Sequence, residues 1–341
     1  MDCPAFLFDP LPVPSPCFVL DAGRLRANAA VLGAVQEHTG ARILLALKGY
    51  AAWATFPLLS RDRGEGPLWG ACASSVDEAR LAREEFGGEV HAFAAAWNER
   101  EMAELLTLAD HLVFNSVAQW QRFRPAVEAQ NRSRCPDRKI QCGLRINPEH
   151  SEGATAIYNP CAPGSRLGIR CGDLDEAALE GISGLHFHTL CEQNADALER
   201  TLAAVEKKFG RWLPNCRWIN MGGGHHITRP DYDLDLLCRC LTTWRDRYNA
   251  QIYLEPGEAV ALHAGWLICT VLDVGVPCHM PDVLEMPYRP GVLYGEEGRV
   301  AVAGLPGEGE WNCRLAGKSC LAGDVAGEYS FAQPLRVGQR L

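Results

Sequence analysis

A lysine that follows an apolar run is the first residue of this sequence that could do covalent chemistry. Residues 42–53 read RILLALKGYAAW, with Lys48 directly before a glycine and a segment that looks helical. Such a lysine also fits a structural role, in which it ends a buried strand and extends its ammonium to water. Because a lysine amine can bind an aldehyde covalently, its role depends on the residues that accompany it.

Three consecutive glycines and a carboxylate supply complementary chemistry. The segment NMGGGHH contains Gly222, Gly223 and Gly224, whose backbone can approach an anion closely and turn its amides toward a phosphate. A triple glycine is also compatible with an ordinary tight turn. Glu255 ends the run QIYLE, and a buried carboxylate can hold a proton on a pyridine nitrogen. With Lys48 as the Schiff-base lysine, these residues predict a site for pyridoxal 5'-phosphate.

These residues need a fold that brings them together, and the spacing of apolar residues predicts one. Apolar positions recur at helical spacing in segments such as 75–86, 98–109 and 194–210. Short β-rich runs alternate with these helical patterns at 42–47, 67–72, 89–93, 111–115, 140–147, 182–188, 217–221 and 251–255. Such a series of β/α units predicts a (β/α)8 barrel of the TIM type, with parallel strands inside and helices outside.

The carboxyl ends of barrel strands are the place where chemistry collects in this fold. In this chain those ends carry Lys48, Arg145, His186, His188, Gly222 to Gly224 and Glu255. We therefore expect the lysine, the glycine loop and the carboxylate to share one site at that end of the barrel.

The chain changes character after Glu255. The segments VALHAGWLICTVLDVGV and SFAQPLRVGQRL are rich in β-branched residues and turn glycines, and they have little helical periodicity. They predict a second, all-β domain, which the N-terminal segment PSPCFVL joins. The predicted boundaries are 24–257 for the barrel, and 1–23 with 258–341 for the β domain.

Composition narrows the class of protein further. The 15 cysteines are scattered without a C-x-x-C pair, which favours reduced thiols in a cytoplasmic protein over a disulfide framework or a zinc knuckle. The chain lacks an apolar stretch of bilayer-spanning length and the pattern of a signal peptide. The net charge of −9 argues against nucleic-acid binding and is compatible with a cationic substrate.

A metal site is a remote alternative interpretation of the barrel. His186 and His188 form an H-x-H pair on a strand, as in metal-dependent barrel hydrolases. Those hydrolases usually place the pair on the first strand and an aspartate on the last, whereas here the pair is on the sixth strand and the last strand ends in Glu255. We therefore predict no metal, and we interpret His225 and His226 as loop residues or neighbours of the phosphate rather than as ligands.

Longer segments are specific enough to compare with known families. They are ALKGYA, CASS, GLRINPEHSE, NPCAPGSRLGI, GLHFHTLCEQ, NMGGGHHITRPDYD, YLEPGEAVAL, CHMPDVLEMPYRP and CLAGDVAGEYSF. From about residue 15 onward they resemble the carboxynorspermidine/carboxyspermidine decarboxylases, a branch of the alanine-racemase-fold decarboxylases that includes diaminopimelate and ornithine decarboxylases. The resemblance implies a fold type III enzyme that uses pyridoxal 5'-phosphate, takes part in polyamine biosynthesis, and forms a homodimer with shared active sites.

The resemblance also implies roles for individual residues. Lys48 would bind the cofactor, His188 would stack on its ring, and Arg145 would be a further cofactor contact. Glu255 would hold the pyridine nitrogen. Cys320 would enter the neighbouring subunit's site and donate a proton to Cα after carbon dioxide leaves. The glycine loop Gly222 to Gly224 would take the phosphate, and the substrate contacts would come from Glu258, Asp282, Glu285, Tyr288 and Asp324.

Two acidic positions distinguish this chain from the wider group. Relatives have an arginine after EPG where this chain has Glu258, and diaminopimelate decarboxylases have an arginine in a D-L-x-R-P segment where this chain has Glu285. A carboxylate repels the distal carboxylate of diaminopimelate and attracts an ammonium. The two glutamates therefore favour a polyamine-like substrate, although each is also compatible with a solvated surface position.

Glu255 also bears on the type of reaction. Racemases of this fold place an arginine at the pyridine nitrogen, so a carboxylate there favours decarboxylation. The alternatives are another amino-acid decarboxylase that uses the cofactor, such as diaminopimelate decarboxylase, and a cofactor-binding protein with impaired turnover. Family members usually continue past PLRVGQRL and have more residues between Val274 and Cys278. If the chain ends at Leu341, we expect the β domain to lack strands and the phosphate to lack a partner.

Overall fold

The computed structural model describes residues 8–153, 158–271, 273–286, 288–296 and 299–341. The chain divides into two compact units, one of residues Asp21–Ala264 and one of Met1–Leu20 with Gly265–Leu341. Residues 21–23 and 258–264, which the predicted boundaries place in the β domain, thus group with the barrel. The reason is local, because the side chain of Asn28 donates hydrogen bonds to the carbonyl oxygens of Val260 (3.1 Å) and Leu262 (2.9 Å).

The first unit is a closed barrel of eight parallel strands, joined in the order β2 to β9, which confirms the predicted (β/α)8 barrel. Its strands are β2 (Arg42–Ala46), β3 (Gly70–Ala73), β4 (Glu89–Phe93), β5 (His111–Phe114), β6 (Gln141–Arg145), β7 (Gly184–His186), β8 (Trp218–Asn220) and β9 (Gln251–Leu254). Strand β9 pairs with β2 and closes the ring, so the segments that follow these two strands are neighbours.

Helices follow most of the strands and pack outside them. They are α1 (Ala22–Thr39), α2 (Val76–Leu81), α3 (Glu99–Leu108), α4 (Val117–Arg132), α5 (Ala195–Phe209), α6 (Leu234–Tyr248) and α7 (Glu258–Ala261), with a π-helical turn at Ala82–Phe86 after α2. Side-chain caps explain where several begin. Ser75 and Ser116 each accept a hydrogen bond from the backbone three residues on, and Asn98 forms a capping box with Glu101.

A tryptophan fills the middle of the barrel. Trp218 is 1% exposed and packs with Leu44, Val113 and Tyr253 inside the ring of strands. Strands β6 and β7 each place a glycine against the indole ring of Trp218. A Cβ added at Gly143 or Gly184 would lie about 2 Å from the indole ring (2.2 Å and 2.1 Å). These glycines therefore provide the volume that the indole occupies.

The second unit consists of antiparallel strand pairs with two short helices, which confirms the predicted β character. Strand β1 (Cys17–Leu20) pairs with β10 (Gly265–Ile268), so the segment PSPCFVL joins this unit as predicted. The other elements are α8 (Val276–His279), α9 (Asp282–Glu285), β11 (Leu293–Glu296), β12 (Arg299–Val302), β13 (Trp311–Ala316) and β14 (Val325–Phe331), with β11 paired to β12 and β13 to β14. Among the described residues, none of the helices combines the length and apolarity that crossing a membrane requires.

Candidate active site

Lys48 lies in the turn that follows β2, at the carboxyl end of the barrel, and its side chain is exposed. Two hydrogen bonds close this turn, from the backbone N–H groups of Gly49 and Tyr50 to Ala46 O (3.0 and 3.1 Å). A Cβ on Gly49 would lie 3.0 Å from Gly257 Cα. The glycine therefore lets the lysine turn pack directly against the turn that follows β9.

Glu255 follows β9 and is largely buried at the same end of the barrel. Its Oε1 accepts a hydrogen bond from Asn220 Nδ2 (2.7 Å), and its Oε2 lies 3.4 Å from His186 Nε2. Burial raises the pKa of Glu255, but His186 and the amide of Asn220 more than offset this and hold the pKa well below its usual range. The site therefore contains a buried carboxylate that is ionised at neutral pH.

The glycine loop fits tightly between the ends of its neighbouring strands. A Cβ on Gly223 would lie 2.2 Å from Glu255 O, and one on Gly224 would lie 2.0 Å from Leu190 O. Gly222 and Gly224 also have positive φ angles (70° and 82°), which favour glycine. No side chain is compatible with this loop, so the three glycines are required for the local fold.

The backbone amides of this loop are unequally available to a ligand. Gly222 N donates to Asn220 Oδ1 and Gly223 N donates to His188 Nδ1, both at 2.9 Å. Of the three glycine amides, that of Gly224 is the one without an acceptor among the described residues. The amides of Gly222 and Gly223 therefore hold the loop together, and that of Gly224 is open to a ligand.

His188 is fixed by that loop. Its Nδ1 accepts the hydrogen bond from Gly223, which leaves the proton of the neutral ring on Nε2. Burial, and then the positive charges of Lys48 and Arg145, hold the pKa of His188 well below its usual range. The imidazole is therefore neutral at neutral pH and has one defined tautomer.

Arg145 is a buried cation beside this histidine. Its guanidinium lies over the ring of Phe93 at 4.6 Å and donates to His188 O at 3.2 Å. Burial lowers the pKa of Arg145 to about 10, with the charge of Glu255 acting in the opposite direction. Arg145 thus stays charged at neutral pH and offsets the buried charge of Glu255.

The H-x-H pair does not converge on a point. His186 Nε2 faces Glu255, whereas His188 Nδ1 receives the amide of Gly223. Burial lowers the pKa of His186, while Glu255 raises it. His186 thus supports the carboxylate of Glu255, and His188 supports the glycine loop.

Glu258 begins α7 beside the lysine turn, and its carboxylate is already paired. Its Oε2 lies 3.1 Å from Nε2 of His226, and this interaction lowers the pKa of Glu258. The side chain is nevertheless 57% exposed, so it can also meet a cationic ligand. His226 is therefore more than a loop residue, since it orients the acidic group.

The remaining candidates lie in the β unit and differ in exposure. Cys320 is exposed in the loop between β13 and β14, and Asp282 and Tyr288 are also exposed. The side chain of Glu285 lies outside the described part of the structure. Asp324 is buried, and backbone N–H groups bind both of its carboxylate oxygens. Each oxygen of Asp324 thus has a backbone donor, and its contact with a substrate amine stays a prediction.

Two residues of the barrel site were missed by sequence reasoning. Asn220 binds both Glu255 and the glycine loop, and its position directly before MGGG was the available signal. Cys72 lies near Glu255 at the end of β3. Burial, and then the charge of Glu255, raise the pKa of its thiol well above the usual range. The segment CASS was noted only for its resemblance, since a cysteine in an apolar strand carries no distinct signal.

A second polar cluster lies at the amino ends of the strands and was also missed. Glu89 forms an ion pair with Arg42, accepts a hydrogen bond from Tyr253 Oη (2.9 Å) and lies 3.3 Å from His91 Nε2. The rings of His91 and His111 stack at 3.9 Å. Donor atoms of Glu89 and the two histidines lie within 4.8 Å of one another, but the guanidinium of Arg42 already neutralises the carboxylate.

No protein-family model matches the chain. It is 42% identical over 343 residues to a carboxyaminopropylagmatine decarboxylase from Synechocystis sp., an alignment that covers 96% of this chain and 83% of the relative. It is 38% identical over 345 residues to a carboxynorspermidine/carboxyspermidine decarboxylase from Campylobacter jejuni, with 96% and 86% covered.

Solved structures show the same relationship. The crystal structure of carboxynorspermidine decarboxylase complexed with norspermidine, from Campylobacter jejuni, matches with a TM-score of 0.80 at 36% identity and covers 96% of this chain and 87% of that chain. Diaminopimelate decarboxylase from Helicobacter pylori, at 15% identity and a TM-score of 0.78 over 96% and 85%, shares the fold. The sequence motifs, the barrel and these relatives agree, and the chain belongs to the carboxynorspermidine/carboxyspermidine decarboxylase family.

Proposed function

We propose that this protein is a carboxy-lyase that uses pyridoxal 5'-phosphate to convert carboxynorspermidine or carboxyspermidine into norspermidine or spermidine and carbon dioxide. The observation that carries the proposal is the ionised carboxylate of Glu255, buried at the end of the strand that pairs with the strand leading to Lys48. The lysine would hold the cofactor and the buried anion would hold a proton on its ring nitrogen, and the two residues follow adjacent strands.

The residues present fit this cofactor. The glycine loop excludes side chains and has one amide, that of Gly224, available for the phosphate. The neutral ring of His188 offers a flat face, and the Lys48 amine is exposed. When bound, the cofactor withdraws electrons from Cα of the substrate, which allows carbon dioxide to leave.

Each residue has one task in the proposed reaction. The amine of Lys48 would hold the cofactor by its aldehyde, and the carboxylate of Glu255 would hold a proton at the pyridine nitrogen. Asn220 and His186 keep Glu255 ionised and oriented. The thiol of Cys320 returns a proton to Cα after carbon dioxide has left.

The substrate class follows from the acidic groups and from the relatives. Glu258 presents a half-exposed carboxylate beside the lysine turn, which attracts an ammonium and repels a distal carboxylate. The solved Campylobacter relative binds norspermidine. A second candidate substrate is carboxyaminopropylagmatine, which is favoured by the 42% identical relative named for it.

A carbon dioxide release assay tests this proposal. Purified protein with the cofactor should be offered carboxynorspermidine, carboxyspermidine, carboxyaminopropylagmatine, diaminopimelate, ornithine, arginine and lysine. We expect kcat/KM for a carboxy-polyamine to exceed that for diaminopimelate by about 100-fold, because two like charges in one site cost several kcal/mol. A preference for diaminopimelate would contradict the role of the acidic groups.

We further propose a homodimer in which Cys320 of one subunit serves the Lys48 site of the other, in the cytoplasm, where the described cysteines stay reduced. Lys48→Ala and Cys320→Ala proteins, each nearly inactive alone, should regain activity when they are unfolded and refolded together. Random pairing makes about half the dimers mixed, so about a quarter of all sites should carry neither defect. If native mass spectrometry shows mixed dimers without recovered activity, the shared site is wrong.

A further inference from the structure

A buried aspartate closes the loop that carries Cys320. Residues 318–323, between β13 and β14, are exposed, whereas Asp324 at the end of this loop is only 2% exposed. A buried carboxylate requires hydrogen-bond partners, because an unpaired charge away from water is costly. Its partners in this unit are backbone groups.

Four hydrogen bonds converge on this residue. Its Oδ1 accepts from Val276 N (2.7 Å) and its Oδ2 from Ser319 N (3.0 Å). Its own backbone N–H donates to Leu321 O (3.0 Å), and its carbonyl accepts from Gly317 N (2.7 Å). Asp324 therefore ties together both ends of the loop and anchors it to the start of α8.

A glycine next to the Asp324 carboxylate leaves room for it. A Cβ on Gly317 would lie between 2.1 and 2.4 Å from the carboxylate atoms of Asp324. The side chain of Ser319 is the main cause of a lowered pKa for Asp324, and backbone N–H groups lower it further, so the group is ionised at neutral pH. Each oxygen of the carboxylate is thus held by a backbone N–H, one from the loop and one from the start of α8.

We propose that Asp324 is a positioning residue that holds the Cys320 loop in one conformation, so that the thiol is presented to the reacting carbon. This inference rests on the proposed function, in which Cys320 is the proton donor. In that step the S–H bond breaks, a Cα–H bond forms, and the thiolate regains a proton from solvent. A positioning role affects the rate of this transfer and leaves substrate binding unchanged.

Kinetics of the holoenzyme separate the two possible roles of Asp324. With carboxynorspermidine as substrate, we expect Asp324→Asn to lower kcat about tenfold, the value of one hydrogen bond to a charged group, and to leave KM within about twofold. A substrate-binding carboxylate would instead raise KM. Unchanged kcat, or a raised KM at unchanged kcat, overturns the inference.

Two glycine variants provide a test that keeps the carboxylate in place. Gly317→Ala should reproduce the loss of kcat, because its Cβ displaces the Asp324 carboxylate. Gly323→Ala is the matched control in the same loop, since a Cβ there meets nothing within 4 Å. Assays should be run well below the melting temperature of each variant, so that the fraction folded is the same.

Limited proteolysis gives a readout that does not depend on activity. Lys318 lies in the exposed loop, and trypsin can cut after it only when the loop opens. We expect faster cleavage after Lys318 in Asp324→Asn and Gly317→Ala than in the parent, and an unchanged rate in Gly323→Ala. Equal cleavage in all four proteins would show that Asp324 does not hold the loop.

A double-mutant cycle shows whether Asp324 acts through Cys320. If it does, Asp324→Asn should cause no further loss of kcat in the Cys320→Ala background. If Asp324→Asn lowers kcat in the Cys320→Ala background by the same factor as in the parent protein, the inference is overturned and Cys320 remains the proton donor. Full activity in Cys320→Ala alone would remove the proposed role of Cys320, and this inference with it, without affecting decarboxylation itself.

Discussion

Replacing Lys48 with alanine should abolish both the yellow chromophore that borohydride fixes in the parent protein and all measurable decarboxylation. The lysine turn is held by backbone hydrogen bonds from Gly49 and Tyr50, so removing the side chain leaves the turn intact. What is lost is the only amine placed at the end of β2, and with it the covalent bond to the cofactor. The expected effect on kcat is at least about 10⁴-fold, since covalent catalysis and positioning are lost together.

The measurement combines absorbance with peptide mass spectrometry. In the parent, borohydride treatment should place the cofactor mass on the tryptic peptide 43–61, which keeps Lys48 uncut. Lys139→Ala is the matched control, because Lys139 is exposed and precedes the amino end of β6, at the opposite end of the barrel. A chromophore that persists in Lys48→Ala, or a modified peptide elsewhere, would show that another lysine binds the cofactor.

Glu255→Gln should separate cofactor binding from catalysis. The glutamine keeps the shape of the side chain and can still bond to Asn220, and Lys48 is unaffected, so the chromophore should remain. A neutral amide cannot hold a proton on the pyridine nitrogen, so kcat should fall by about 10² to 10³, as for the loss of one preorganised electrostatic contact.

Glu255→Asp serves as the control for charge. It retains the carboxylate at a shorter reach and should therefore be less impaired than Glu255→Gln. Decarboxylation at the parent rate in Glu255→Gln would remove the argument that the carboxylate favours this reaction over racemisation. Loss of the chromophore instead would assign Glu255 to the binding of the cofactor.

The barrel and its strand ends were predictable because strand ends in a parallel barrel have a fixed geometry. Once the apolar runs were aligned, Lys48 and Glu255 had to lie at the same end of adjacent strands. The predicted segment 67–72 was less accurate, since β3 covers Gly70–Ala73. Local composition thus located the strands and helices. The closed topology of the barrel then placed Lys48 and Glu255 at the same end.

The hydrogen-bond partners of the site were not predictable from residue type. An amide such as Gly222 N looks the same in sequence whether it faces a ligand or the side chain of Asn220. An acidic residue such as Asp324 likewise reads as a substrate contact or as a loop anchor, depending on whether backbone N–H groups surround it. Such partners come from distant segments, so only the folded chain defines them.

The tryptophan at the centre of the barrel links three positions that are far apart in the chain. Because a methyl group at Gly143 or Gly184 would overlap the Trp218 ring, neither glycine can change unless residue 218 becomes smaller. Among homologues we expect these three positions to covary, with alanine on β6 or β7 found beside a smaller side chain on β8. Such covariation would show that the three side chains compete for one volume inside the barrel. It would also identify neighbouring barrel strands from sequences alone.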